Sequence, residues 1–181
     1  MKRRTLTVFG VLCCIILFAI FIFKYKNGNF VGGLSPNEPK YQHIVGYIEP
    51  ETALFGRDFE VCDENRIAQY YNPERASYSE GKNGLRKYIL SNYKNKGYVD
   101  SGYLNIRFVI NCRGEAGRYV IHENNLDLEP TEFDNDIVDQ IFNLTRQLKK
   151  WNPVHHRGRK WDSYMYISYR IENGEIVEIL P

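Results

Sequence analysis

Residues 102–123 read GYLNIRFVINCRGEAGRYVIHE, and this stretch decides the fold class. Leu104, Ile106, Phe108 and Ile110 alternate with Tyr103, Asn105, Arg107 and Asn111. That is the period of two of a strand with one buried face. CRGEAG (112–117) supplies turn glycines, Gly114 among them, and RYVIHE (118–123) supplies a returning strand, so the stretch predicts a β-hairpin.

Helical patterns flank the hairpin on both sides. GLRKYILSNY (84–93) sets Leu85, Tyr88, Ile89 and Tyr93 on one face at the spacing of an amphipathic helix. Downstream, Thr131 and Asp134 resemble a capping box. Ile137, Ile141, Leu144, Leu148 and Trp151 then recur at four- and three-residue steps. The pattern predicts a helix that Pro153 ends, with Lys149 and Lys150 at the negative end of its dipole.

The tail SYMYISYRIENGEIVEIL (163–180) reads as two strands around Asn173-Gly174, a strong short hairpin signal. Met165, Ile167, Tyr169 and Ile171 face one way, and Tyr164, Tyr166, Ser168 and Arg170 the other. The order helix, strand, strand, helix, strand, strand implies an α+β domain, a small antiparallel sheet with two helices packed on one face.

Outside this domain, Leu6–Phe23 is almost wholly apolar. About 18 residues at about 1.5 Å each reach about 27 Å, enough for one transmembrane helix. Lys2, Arg3 and Arg4 precede it, which favours a cytoplasmic N-terminus with the rest exported. FIFKYK (21–26) offers no small-x-small cleavage site, so a retained anchor is expected. The organisation is then a cytoplasmic tip and anchor (1–24), a Gly/Asn/Pro-rich periplasmic linker (25–54), a short extension packed on the domain (55–79), and the domain itself (80–181).

Beyond the anchor only Cys62 and Cys112 remain. In an oxidising compartment they either pair, closing a loop of about 50 residues worth ~4 kcal/mol in the chain-entropy model, or stay as two buried thiols. Their separation suits a metal site poorly, because zinc sites usually draw ligands from close pairs.

No catalytic constellation emerges. His155 and His156 are adjacent and have no acidic or cysteine partner nearby. Asp127, Glu129, Glu132, Asp134 and Asp136 cluster at a helix start, where carboxylates suit the dipole. Phosphate loops, serine elbows and zinc motifs are all missing. The net charge is +2, and the run Lys149, Lys150, Arg157, Arg159, Lys160 is an ordinary solvated loop, so nucleic acid is not expected. The reading is of a non-enzyme without cofactor or metal. What remains is the sheet edge, whose backbone groups can pair with another chain's extended segment. The alternative is that the last hairpin merely closes the sheet, with Tyr164 and Tyr166 on its solvated face.

GYLNIRFVINCRG (102–114), the helix ending LKKWNP (148–153), the Gly158-containing loop and WDSYMYISYRI (161–171) together resemble the C-terminal domain of the TonB energy transducers. Closest is the form in which a short helix like GLRKYILSNY precedes the first strand, and the likeness spans about residues 80–171. A single N-terminal anchor is similar to that family too.

The resemblance implies a protein of the bacterial inner membrane whose domain lies in the periplasm. It would add a short segment of an outer-membrane TonB-dependent transporter as a strand and work with proton-driven motor proteins of the inner membrane. The docking strand would carry Tyr164, Met165, Tyr166, Ile167, Ser168, Tyr169 and Arg170. Gly102, Gly114, Trp151, Pro153 and Gly158 would shape the frame around it. Three features depart from the family pattern: no histidine in Leu6–Phe23, a connector that is not proline-rich, and no proline in NYKNKG (92–97). They suit the alternative of an envelope adaptor that binds a periplasmic or cell-wall partner without energy transfer. An exposed edge also allows two copies to exchange strands into a homodimer.

Overall fold

The computed structural model describes residues 33–34, 46–69 and 74–180. The expected anchor, Leu6–Phe23, lies outside the described residues. Among the described residues no helix is long and apolar enough to cross a membrane.

The elements, in chain order, are β1 (Gly33–Leu34), β2 (Ile67–Ala68), β3 (Ser77–Tyr78), α1 (Gly81–Asn92), β4 (Gly102–Ile110), β5 (Ala116–Asn124), α2 (Asn135–Arg146), β6 (Trp151–Asn152), β7 (Val154–His156), β8 (Arg159–Glu172) and β9 (Glu175–Leu180). An α+β fold with a multistranded sheet and two helices is therefore present. The main sheet runs β1-β2-β8-β4-β5, with β7 and β9 also paired to β8.

The hairpin of β4 and β5 sits where the alternation places it, with Ile106 opposite Ile121 and a bulge between Arg107 and Val109. β4 also pairs antiparallel with β8 from Gly102↔Ile171 to Ile110↔Ser163. Residues directly opposite share a face, so Phe108 and Met165 lie together, as do Ile106 and Ile167. The sheet is not purely antiparallel: β2 runs parallel to β8 through Ile67↔Asp162 and Ala68↔Ser163. A two-residue strand is too short to show a period.

Both helices bury the residues their spacing selects, Leu85 and Ile89 in α1, and Ile137, Ile141 and Leu144 in α2. Each fully buried aliphatic side chain contributes about 1.5–3 kcal/mol. Contacts tie α2 and the segment after it to the Phe108 face. The Thr145 and Tyr169 hydroxyls are 2.7 Å apart, and the Phe142 ring meets Tyr119 edge-on at 5.4 Å.

Two details of α2 differ from expectation. Its cap is Asp134, which accepts the Asp136 N–H at 2.8 Å, and Thr131 stands outside. The helix also stops at Arg146, before Pro153 is reached. Leu148 N–H turns back to the Thr145 carbonyl, and the chain leaves so that Trp151 can join β6 opposite Tyr78. There the indole meets Phe108 and Tyr78 edge-on, each at 5.4 Å, and its Nε1–H donates to the Leu148 carbonyl at 2.8 Å. The basic loop is itself a hairpin: β7 pairs with the start of β8 around Arg157 (φ 48°) and Gly158 (φ 76°), a turn that needs left-handed residues.

The second face of the sheet is covered, contrary to the expectation of a solvated face. Ile48, Ile67, Val109 and Tyr164 form a buried cluster, with Tyr47, Ala53, Phe59, Val61 and Val120 packed against it. Leu54 bridges to Tyr119. The linker expected to run to residue 54 therefore ends earlier, since residues 46–54 belong to the fold. Polar side chains on this face are buried with partners. Arg107 lies 4.4 Å over the Tyr164 ring and donates to the Gly46 carbonyl. Asn105 Oδ1 accepts from Tyr166 at 2.6 Å and from Ser168 at 2.7 Å.

Candidate functional site

The proposed docking strand lies in β8, the strand that joins the most neighbours. One edge of β8 is taken by β4 from Ser163 to Ile171. On the other edge β2 pairs with Asp162–Ser163 and β9 with Ser168–Glu172, while β7 pairs with the start of β8, Arg159–Trp161. Tyr164–Ile167 lie between the β2 and β9 pairings.

The side chains proposed for docking are mostly inside. Tyr164, Met165, Ile167, Ser168 and Tyr169 are buried, and Tyr166 and Arg170 are half-buried. Tyr169 is in the core against Thr145, and Tyr164 is in the core of the second face. The structure thus brings the seven residues onto one strand but turns most of them into packing. What the strand can offer a partner is backbone at its outer edge, and over Ser168–Glu172 that edge already carries β9.

β9 is held lightly by its side chains. Among its six residues only Ile179 is buried, while Val177 is 51 % and Leu180 43 % exposed. Asn173 (φ 50°) and Gly174 (φ 74°) make the left-handed turn that starts it. The Gly174 carbonyl accepts from the Tyr93 hydroxyl. Arg86 of α1 donates twice to the Ile179 carbonyl, at 2.9 and 3.1 Å. That ties the end of β9 to α1.

The frame residues fall as follows. Gly102 opens β4 against the Asn124 carbonyl. Gly114 turns the β4–β5 hairpin at φ 82°, where an added Cβ would stand 2.5 Å from the Trp151 carbonyl oxygen. Trp151 is core, Pro153 separates β6 from β7, and Gly158 turns β7 into β8.

Cys62 and Cys112 are joined, with Cα atoms 6.0 Å apart. Their frame is set by Asp162, which the sequence reading passed over. Asp162 Oδ2 accepts the N–H of Cys62 at 2.8 Å and of Asp63 at 2.7 Å, and Oδ1 accepts the Cys112 N–H at 2.8 Å. Burial pushes the Asp162 carboxyl above the usual aspartate value, against the pull of these three backbone donors. Cys62, Cys112 and Asp162 place ligand atoms within 4.8 Å of one another, but sulfurs bonded to each other offer no thiolate to an ion. A signal for Asp162 was present in the sequence, since an aspartate inside the strand run WDSYMY (161–166) goes against strand composition.

The histidines of the basic hairpin do not converge. His155 is exposed, and His156 Nδ1 faces Glu74 at 3.5 Å. Lys150 pairs with Glu80 at 2.9 Å.

Comparison with protein-family models, with curated proteins and with solved structures found no match to this chain.

Proposed function

We propose that this chain is a TonB-like envelope protein, tethered in the inner membrane, that binds an extended segment of an outer-membrane transporter at the outer edge of β8 and passes on energy for uptake. The supporting observation is that this edge, over Ser168–Glu172, is filled by a six-residue strand with a single buried side chain. A partner segment takes the place of β9, exchanging one set of ladder hydrogen bonds for another, so the net backbone cost of entry is small. The α–β–β–α–β order and the position of β8 beside β4 fit a TonB C-terminal-like domain. The Cys62–Cys112 bond fits an oxidising periplasm.

A second reading has its own support, because Leu6–Phe23 carries no histidine or charged residue through which a proton motor could act. In that reading the same edge serves an envelope adaptor without energy transfer. Photo-cross-linking in cells, with the probe at Arg170 and a control at the exposed Leu128, separates the two. An Arg170-specific adduct with an outer-membrane transporter supports transduction, and one confined to periplasmic or inner-membrane proteins supports the adaptor. No adduct refutes docking at this edge. Locking β9 in place with Arg170→Cys and Glu178→Cys, which are register partners, should abolish transporter-dependent uptake until reductant is added.

A further inference from the structure

A chamber of about 330 Å³ lies between the start of α1 and the Met165–Tyr166 stretch of β8, and reaches Leu180 at the end of β9. Its walls are apolar, formed by Ala76, Tyr78, Leu85, Met165, Tyr166 and Leu180. The rest of the lining is polar or charged apart from Gly81: Arg75, Ser77 and Lys82. We propose that this chamber binds a small aliphatic carboxylate, its chain inside and its head group at Arg75, Lys82 and the α1 N-terminus.

Size argues for a ligand and against a single inserted side chain. An apolar cavity of about 150 Å³ already holds benzene, and pockets for small molecules begin near 300 Å³. The volume here fits a short alkyl chain and is about twice what one aromatic ring requires.

Charge decides the head group. Arg75 and Lys82 are both exposed, and no carboxylate among the described residues forms an ion pair with either. The nearby acids have other cations, Glu74 facing His156 at 3.5 Å and Glu80, which precedes α1 and lies beside Gly84, pairing with Lys150 at 2.9 Å. The twelve-residue helix α1 begins without a side-chain cap and has no acidic residue in its first turn. Its first N–H groups and dipole therefore favour an anion where Gly81 and Lys82 meet the chamber. An amphiphile of opposite charge would meet two cations and a positive helix end.

The chain carries its own reporter. It has two methionines, Met1 and Met165, and Met165 lines the chamber. Full-length protein in lipid nanodiscs, labelled at the methionine methyls with carbon-13, is titrated with sodium hexanoate and, separately, with hexylammonium chloride. Hexanoate should shift the Met165 signal saturably while Met1 stays put, with hexylammonium at least about tenfold weaker. In Arg75→Glu/Lys82→Glu the unliganded Met165 signal should keep its position, showing an intact core, and hexanoate affinity should fall about tenfold. Three outcomes overturn the proposal. They are no saturable Met165 shift, equal response to the two amphiphiles, or Met1 and Met165 moving together as the bilayer takes up the probe. None of these readouts depends on a transporter or on β8 docking, so failure here and failure of the proposed function are separately visible.

Discussion

Replacing Asp162 tests what holds the irregular segment 46–64 onto the sheet. In Asp162→Ala the N–H groups of Cys62, Asp63 and Cys112 lose acceptors at 2.7–2.8 Å while the disulfide stays intact. Hydrogen bonds to a charged group contribute about 1.5–3 kcal/mol each, and donors left buried add a desolvation cost. The three bonds do not add fully, because Cys62 and Asp63 share one oxygen and Cys62 is exposed to water. Removing the carboxylate also removes the cost of its own burial, which offsets part of the loss. A net loss of about 3–4 kcal/mol follows for alanine. Asparagine keeps one acceptor oxygen and turns an NH₂ toward the remaining donor, for a loss of about 2 kcal/mol. Pulse proteolysis of the full chain across a urea series measures both. Hydrogen exchange should in addition show Cys62, Asp63 and Cys112 amides opening earlier than those of β4. An alanine variant within about 0.5 kcal/mol of the parent would refute the reasoning, since that is the range of an inconsequential surface change.

Three further outcomes follow from the same structure. Reducing Cys62–Cys112, which closes a separation of 50 residues, should lower stability by about 4 kcal/mol in the chain-entropy model, read as a reductant-dependent shift of the urea midpoint. Burial pushes the Tyr164 hydroxyl up to about 12 and raises Tyr119 and Tyr169 as well. A raised folded value means the neutral form is favoured by the fold. Stability is then intact below the unfolded-state value of about 10 and is lost as pH climbs from there through the folded values. Absorbance of tyrosinate should therefore show these rings ionising together with loss of near-UV circular dichroism; smooth ionisation in a still-folded protein would contradict their placement. Finally, Gly114→Ala should cost about 2 kcal/mol or more, because its Cβ would stand 2.5 Å from the Trp151 carbonyl at φ 82°. Gly158→Ala meets no atom within 4 Å at φ 76° and should cost only about 1 kcal/mol by chemical denaturation.

Periodic residues were legible and unperiodic ones were not. Leu104 to Ile110 announced β4, and Ile137, Ile141 and Leu144 announced α2, because one face of each had to be buried. The second face was misread since Asn105, Arg107 and Ser168 are polar and polar residues are usually wet. Here each is buried with a partner, a pairing across about 60 residues in the case of Arg107 and Gly46 that no local pattern encodes. Segment 46–64 covers that face as irregular chain, and β2 is two residues long, so neither has a period to detect. The extent of α2 was overread because Leu148 and Trp151 are buried on schedule although the helix has already ended. Tyr164 to Arg170 were rightly placed on one strand. That β9 returns along Ser168–Glu172 follows from Asn173-Gly174, the hairpin signal behind the alternative that the last hairpin closes the sheet.

The disulfide also has a mechanical consequence. Along the described segment that begins at Gly46, a pull from the N-terminal side acts on the Arg107 contact with the Gly46 carbonyl. From there to Val61 it meets Ile48 in the buried cluster and the Leu54–Tyr119 bridge. At Cys62 the load passes covalently to Cys112, just past the end of β4, the strand with β8 and β5 on either side. Further extension must shear the centre of the sheet, where many backbone bonds are strained together. A pull on this end therefore loads the packing of residues 46–61 first, and after it the covalent link to β4.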